Sequence, residues 1–515
     1  MDIELNDQFK HALNLMNNSN KNIFITGKAG TGKSTLLNYF RNNTKKKITV
    51  LAPTGVAAIN VEGQTIHSFF KFKPDITLNK VKKYKGWDKE VYEKIEAVVI
   101  DEISMVRADL LDCIDKFMRL NGKNPAKQFG GVQMIFIGDL YQLPPVVTSK
   151  EKGMFISQYK GQYFFDSITF QNFEIEFVEL EKIYRQKDNK FINLLNSIRN
   201  NSITQKQLES VNERLDTNFN INSSDFFIQL TTTNKLATEI NENEISKIKT
   251  KLFQYNGIIE GKFEEHYLPT DIDLKLKIGS QVMLVNNDQS GRYVNGTVGK
   301  IIDIRPSEND DVIIVELFNK NKVEIRPHTW KIFELYYDRN IDNLDSKTMG
   351  SFRQYPIKLA WAITIHKSQG KTFDRVIIDI GKGTFTHGQV YVALSRCTSL
   401  DGIILKKPIQ KKHIFMDWKI VNFLTKFQYK LSEKRMPLDD KMKIIQNAIR
   451  NRSKLNIVYL KSNDQKSKRV IKPFSVGEKE YMGKKYVGVD AYCFERRDMR
   501  VFRIDKILEI EEISS

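Results

Sequence analysis

Cysteine is scarce: Cys113, Cys397 and Cys493 are the only three in 515 residues, and they lie far apart without the spacing of metal ligands. That excludes a disulfide-stapled scaffold and fits a chain kept in a reducing cytosol. Long apolar runs are missing too, since none approaches the roughly 18 residues needed to span a membrane. The amino-terminal stretch MDIELNDQFK is acidic and has no apolar centre, unlike a secretory signal or an Arg-rich transit peptide. Acidic charge is in deficit, with 62 Asp and Glu against 81 Lys and Arg, a net +19. Such an excess attracts polyanions, nucleic acid above all. The rest is ordinary: 41% hydrophobic and 28% charged residues describe a globular protein, long enough for about three or four domains.

The stretch NIFITGKAGTGKSTLLNYF reads as a buried strand, a glycine-rich loop and an amphipathic helix. Gly27, Gly32, Lys33 and Ser34 satisfy G-x-x-x-x-G-K-[ST] in the strand–loop–helix setting that motif requires. Glycines let backbone N–H groups curl round a phosphate, and the helix start adds partial positive charge. Lys33 is expected on the β- and γ-phosphates of ATP and the Ser34 hydroxyl on Mg²⁺. A second apolar strand, AVVIDEISMV, ends in Asp101 and Glu102, where Asp101 can hold Mg²⁺ and Glu102 can deprotonate the attacking water. A third, VQMIFIGDLYQLPPV, ends in Asp139 and Gln142, whose amide can hydrogen-bond a γ-phosphate or its water.

Strands and helices alternate again after about residue 173, in LTTTNKLATEINENEI, RVIIDIG and DGIIL, hence a second α/β lobe without a second phosphate loop. Its candidate contribution is positive charge for the transition state, from Arg185 in EKIYRQKDNKFINLLNSIR or Arg396 in VYVALSRCTSL. One short pattern recurs across the two halves: QTIHSFF at 64–70 and TIHKSQGKTFD at 364–374. Phe191, Leu194, Leu195 and Ile198 fall at helical spacing and read as core.

Together these segments resemble the superfamily-one helicases, most closely the Pif (petite integration frequency) family, from Leu5 to about Leu405. LNDQ (5–8) is similar to the family's adenine-reading segment with Gln8, and GKAGTGKST to its first motif, which implies Gly27, Gly30, Gly32, Lys33, Ser34 and Thr35 as nucleotide ligands. APTGVAAINVEGQTIHSFF, VVIDEISMV, IGDLYQLPPV, the signature KIYRQKDNKFINLLNSIR, LAWAITIHKSQGKTFD and VYVALSRCTSL follow in the family's order. The resemblance implies two RecA-like P-loop lobes and ATP-driven 5′→3′ movement on single-stranded DNA. Implied substrates are tailed or forked duplexes, with quadruplexes and RNA–DNA hybrids beside them, for a monomeric motor at no membrane. Implied settings are DNA repair, recombination and telomere maintenance, in a cytoplasmic, nucleoid-associated protein. It also places both Thr-Ile-His loops along a single-strand channel, with Thr54, His67, Ser68, Phe69, His366, Lys367 and Ser368 as nucleic-acid contacts. Backbone contacts of that kind carry no base information, as a moving motor requires. Two readings of other classes stay open: a non-translocating ATP-dependent clamp or switch on nucleic acid, and a regulator governed by its tail.

The expected organisation is lobe one at 1–172, with a Lys- and aromatic-rich insertion at 71–94 where the family carries a duplex-splitting wedge. Lobe two is expected at 173–249 and 346–410, interrupted at 250–345 by strands that resemble the family's Src-homology-3 (SH3)-like β-barrel, with an Asn295–Gly296 turn. A helical connector at 411–436 leads to residues 437–515, which hold 18 basic and 12 acidic residues in alternating short strands. This small β-rich tail looks like a WYL domain, with Lys485-Tyr486-Val487 in place of Trp-Tyr-Leu and with Tyr486, Arg500 and Arg503 as candidate ligand contacts.

Overall fold

In the computed structural model, residues 5–513 are described apart from 86, 149–150, 220–225, 289, 342, 382, 385 and 462. The chain forms two compact units, Met1–Asn196 with Thr204–Phe415, and Met416–Ser515 with Ser197–Ile203.

In the first unit, six parallel strands build lobe one: β1 (Ile23–Gly27), β2 (Ile48–Ala52), β3 (Gln64–Thr65), β4 (Ala97–Ile100), β5 (Gln133–Ile137) and β6 (Glu176–Leu180), in the order β3-β2-β4-β5-β1-β6. Every residue of β1, β4 and β5 is buried, as continuous apolar runs in a parallel sheet covered on both faces must be. Helix α1 (Asp7–Asn18) starts where the Asn6 side chain accepts the Phe9 N–H, and packs Phe9, Ala12 and Met16 into the core beneath helix α2 (Lys33–Asn43). Because β6 pairs along its length with β1, lobe one runs to Leu180, past the expected boundary at 172.

Lobe two is a four-stranded parallel sheet in the order 362–364, 228–231, 376–379, 403–405. Phe191, Leu194, Leu195 and Ile198 of the signature helix are buried, as their spacing predicts. The insertion holds a five-stranded antiparallel sheet, in the order 322–325, 312–317, 298–305, 281–284, 357–359, around Val282, Leu284, Ile301, Ile313 and Val315. Among the described residues its two outer strands do not pair with each other, so it is an open sheet here. Asn295–Gly296 lies in the turn between 281–284 and 298–305, with Gly296 at φ +99°. A long hairpin, 328–338 with 343–354, pairs onward with 258–261. The insertion therefore continues to Leu359, and lobe two resumes at Ala362, later than the expected 346.

The 71–94 insertion of lobe one is less exposed than its composition suggests. Its Phe72, Tyr84 and Tyr92 join Phe70, edge-on and stacked, around Phe117 and so form part of a core. Helix 87–94 meets the long hairpin, where Glu90 pairs with Arg339 at 2.8 Å and Lys94 lies over the Tyr337 ring.

The second unit packs helices Trp418–Arg435 and Leu438–Asn451 with a five-stranded antiparallel sheet in the order 498–503, 484–493, 466–481, 454–460, 507–513. Ile445, Ala448, Leu455, Ile471, Val489, Phe502 and Ile507 form its core. The Ser432 hydroxyl meets the carbonyls of Ile507 and Leu508, so the helix expected as a connector belongs to this unit. Of the tail's candidate contacts, Arg503 lies over the Tyr486 ring at 4.9 Å and pairs with Asp505, while Arg500 sits 4.0 Å from Asp498.

Candidate functional site

The site grows from the carboxyl ends of β1, β4 and β5. Gly32 adopts φ +85° as the residue before α2, which has no side-chain cap, so the first N–H groups of the helix face the loop. Gly30 also has a positive φ, +81°, and a Cβ there would stand 2.6 Å from the Arg185 Cβ. Glycine at that position lets the segment after β6 lie directly on the phosphate loop, and the Tyr184 N–H donates to the Gly30 carbonyl at 2.8 Å.

Lys33 donates to the Gly27 and Lys28 carbonyls at 2.7 and 3.1 Å. Burial lowers its pKa against the opposing pull of Asp139, Glu102 and Asp101, which places three carboxylates around one ammonium. Asp101 is pushed up to about 7, by burial first and by the adjacent Glu102 next. Glu102 is raised as well, chiefly by burial, with Lys33 and Arg396 acting in the opposite direction. Its backbone is left-handed, φ 50° and ψ 42°, a conformation costly for glutamate and typical of residues held for a task. Asp139 is fully buried and accepts from the Tyr141 N–H at 3.2 Å and the Gln142 amide at 3.3 Å. Ser34 and Thr35 are exposed on the first turn of α2. The Gln8 amide oxygen accepts the Glu181 N–H at 2.9 Å, which ties the adenine-reading segment to the end of β6.

Both predicted arginines reach this region. Arg185 is half-buried, desolvation lowers its pKa, and its Nη1 donates to the Ser395 carbonyl at 3.1 Å. Arg396 is almost fully enclosed and donates to the carbonyls of Val392 (2.9 Å), Ser368 (3.3 Å) and Lys371 (3.4 Å) and to the Ser395 hydroxyl (3.0 Å). In this structure Arg396 is thus a strut that holds the second Thr-Ile-His loop, where the sequence suggests a displayed finger. Two residues missed in the sequence join the site. Tyr184 presents a partly exposed ring beside Gly32, with Lys182 over it at 5.2 Å. Tyr391 accepts the Ala29 N–H at 2.9 Å. The pairing of Tyr184 with Arg185 in KIYRQ was a signal for the first; a tyrosine within the apolar run VYVAL gave none for the second.

The two echoing loops have the same construction. Thr65 ends β3 and its hydroxyl accepts the Ser68 N–H at 3.1 Å; Thr364 ends strand 362–364 and accepts the Lys367 N–H at 3.2 Å. Each strand is the edge of its lobe's sheet, each following isoleucine (Ile66, Ile365) is fully buried, and each histidine is partly exposed. Thr54 likewise caps helix Gly55–Asn60 through the Ala57 N–H. Ser68 and Lys367 are exposed. Phe69 and Ser368, also expected as contacts, are buried. The Phe69 ring packs against Phe70 and Tyr92, and the Ser368 hydroxyl is spent on the Ile365 carbonyl, because the apolar turn folds both inward. Lys371, three residues on, donates to the Asn295 side chain of the insertion, while Asn295 donates to Asn60 of lobe one. Burial, and then Lys358, pushes Lys371 down to about 7.

A phosphate loop on one parallel sheet, facing arginines from the approach to a second and the helix that follows, defines a two-lobed P-loop nucleotide-hydrolysing motor. Relatives narrow the class. The PIF1-like helicase model matches residues 4–209, a helicase model matches 334–427, and the WYL domain model matches 440–512. The chain is 31% identical over 439 residues to the ATP-dependent DNA helicase Pif1 of Bdellovibrio bacteriovorus, covering 83% of this chain and 93% of that one. It is 32% identical to the protein of the same name from Campylobacter jejuni, covering 73% and 87%. Among solved structures, Bacteroides sp Pif1 in complex with ADP-AlF4 superposes with a TM-score of 0.76 at 36% identity, covering 83% of this chain and 98% of that one. Bacteroides Pif1 bound to ssDNA gives 0.60 at 38% identity, covering 82% and 96%. The chain belongs to the PIF1-like helicase family, extended by a WYL domain.

Proposed function

We propose that this ATP-dependent DNA helicase moves 5′→3′ along single-stranded DNA as a monomer and displaces the opposing strand of tailed or forked duplexes, with quadruplexes and RNA–DNA hybrids as further substrates. The observation that carries the reading is the double attachment of helix Gln389–Ser395. Arg185 and Gln186, beside the phosphate loop, donate to the Ser395 carbonyl, and Arg396 at the end of that helix holds the Ser368 and Lys371 carbonyls of the second Thr-Ile-His loop. A change at the nucleotide is thereby transmitted to a loop suited to grip a DNA backbone.

The roles follow from chemistry. Lys33 and the N–H groups at the start of α2 bind the phosphates, Gln8 and the Tyr184 ring hold the base, and Glu102 takes the proton of the attacking water while Gln142 orients it. Arg185 steadies the developing charge, and Arg396 joins it by exchanging loop carbonyls for phosphate oxygen. Ser34 and Asp101 fit Mg²⁺, which binds through one or two protein oxygens and the substrate phosphates rather than in a protein cage. The raised Asp101 pKa marks a buried carboxylate that a cation would favour. When bound, Mg²⁺ supplies charge neutralisation on the phosphates. Thr54, Ser68, His67, His366 and Lys367 face the DNA backbone from the two lobes.

Lys33→Ala should lose both ATP binding and turnover, whereas Glu102→Gln should retain binding and lose turnover. Equilibrium titration with a fluorescent ATP analogue beside steady-state ATPase rates separates the two. Turnover by Glu102→Gln at the wild-type rate would remove that residue as the base.

A further inference from the structure

The arginines are not the only groups that lobe two sends into the nucleotide site. Helix Gln389–Ser395 begins at Gly388, which has φ +77° and lies so close to lobe one that a Cβ would stand 2.4 Å from the Gln142 carbonyl oxygen and 2.6 Å from that of Tyr141. Only glycine permits this approach, and it carries the helix onto the end of β5. One turn on, Tyr391 is buried with its hydroxyl 2.9 Å from the main-chain nitrogen of Ala29, inside the phosphate loop. Having accepted that N–H, the hydroxyl directs its own proton toward Asp139 Oδ2 at 3.4 Å. Asp139 in turn accepts from the Gln142 amide, the group suited to orient the attacking water. The result is an unbroken chain: Ala29 N–H, Tyr391 O–H, Asp139 carboxylate, Gln142 amide.

We infer that Tyr391 is a positioning residue that reads the occupancy of the phosphate loop and passes it to the DNA-gripping loop, by exchanging its bond to the Ala29 N–H as the triphosphate enters or leaves. This rests on the helicase reading above and deepens it. Three features of the geometry support the assignment. The Ala29 N–H belongs to the loop that receives the phosphates, so an anion there competes directly with a neutral hydroxyl for the same donor. The exchange acts on a rigid lever, because Arg396, five residues along, clamps the Ser368 and Lys371 carbonyls. The chain also runs through Asp139 to Gln142, so moving Tyr391 changes how firmly the water-orienting amide is held. A tyrosine needed only for packing would bury its ring without a hydroxyl poised between a phosphate-loop N–H and a buried carboxylate.

Tyr391→Phe deletes the oxygen and keeps the ring. The measurement is a coupling ratio: the affinity of the full-length protein for a fluorescent oligothymidylate, with and without a saturating non-hydrolysable ATP analogue. By linkage the same ratio must appear in analogue affinity with and without DNA. Tyr391→Phe is expected to move the ratio toward one by about 5- to 10-fold, the effect of one lost hydrogen bond, and to lower the DNA-stimulated kcat while KM for ATP changes less than twofold. Asp139→Asn and the double variant complete a cycle, in which the two substitutions are expected to be non-additive because they break one chain. A Tyr391→Phe protein of wild-type melting temperature with an unchanged ratio and kcat overturns the inference, as does strict additivity with Asp139→Asn. A wild type whose ATPase ignores DNA would instead sink the helicase reading itself, so the two failures are distinguishable.

Discussion

Two carboxylates and one ammonium decide how the nucleotide site behaves with pH. Asp101 has its pKa pushed up to about 7 by burial and then by Glu102. A carboxyl raised in the folded state favours folding while protonated; that contribution is complete below the unfolded value near ~4 and is lost as pH climbs through 7. Asp101→Asn carries no such titration. Its stability advantage over the nucleotide-free wild type should therefore grow between about pH 4 and 7, by up to about 1.4 kcal/mol per unit, and level off above. Urea melts of both proteins from about pH 5 to about pH 8 check this, and parallel curves throughout would contradict the raised pKa. The same residues were the most legible ones in the sequence, because G-x-x-x-x-G-K-[ST] and an apolar strand ending in Asp-Glu admit few other meanings. Tyr391 was not legible: its ring satisfies an apolar helix, and only the fold shows where its hydroxyl goes. Phe69, implied as a nucleic-acid contact by its motif, packs against Phe70 and Tyr92, neighbours whose placement only the fold reveals.

The echo of Thr-Ile-His is an element with one design used twice: an edge strand, a threonine that caps the following turn, a buried isoleucine and a half-exposed histidine. Its tests separate charge from hydrogen bonding. Lys367 is exposed and cationic, so Lys367→Ala should lower the log–log salt slope of single-strand binding by up to about 0.7. Burial lowers the His366 pKa and keeps that imidazole neutral at pH 7. His366→Ala should therefore leave the slope nearly unchanged, and both His366→Ala and His67→Ala should reduce strand displacement more than DNA-free ATP hydrolysis. Fluorescence anisotropy over a salt series and gel-based unwinding on the same variants measure both; normal unwinding by both histidine variants would make the echo a matter of folding alone. Strand periodicity announced most of these elements but not where they pair. Sequence order alone puts β6 after the lobe boundary at 172, because a strand that follows a loop carries no label for the sheet it will join. The expected end of the insertion at 345 falls inside strand 343–354, because DSKTMGSFRQ alternates too weakly to read as half of a hairpin.

At the level of the molecule, the nucleotide-site residues and the tail occupy different stretches of the sequence. Every nucleotide-site residue precedes Cys397, and the second unit, apart from the short segment Ser197–Ile203, begins at Met416. A chain ending at Phe415 is expected to keep DNA-stimulated ATP turnover within about threefold, which RT-scale changes in stability would not disturb. A chain ending at Met436 should fare worse. It keeps helix Trp418–Arg435 but removes the strand 507–513 that Ser432 hydrogen-bonds. Thermal melts beside ATPase rates distinguish the two cuts, and inactivity of a folded 415-residue chain would contradict a tail that modulates rather than powers the motor. The expected boundary lies some twenty residues late because Pro437 looks like a stop, whereas the helix before it already belongs to the tail's unit. Directional unwinding remains the most direct test of the whole reading. Fluorescently labelled duplexes carrying a 5′ or a 3′ single-stranded tail are mixed with the full-length protein, ATP and Mg²⁺, and strand release is followed in the presence of a trap strand. Rapid release from the 5′-tailed duplex and little from the 3′-tailed one is the expected result. Release from the 3′-tailed duplex alone, or DNA-stimulated ATP turnover with no release from either, would contradict it.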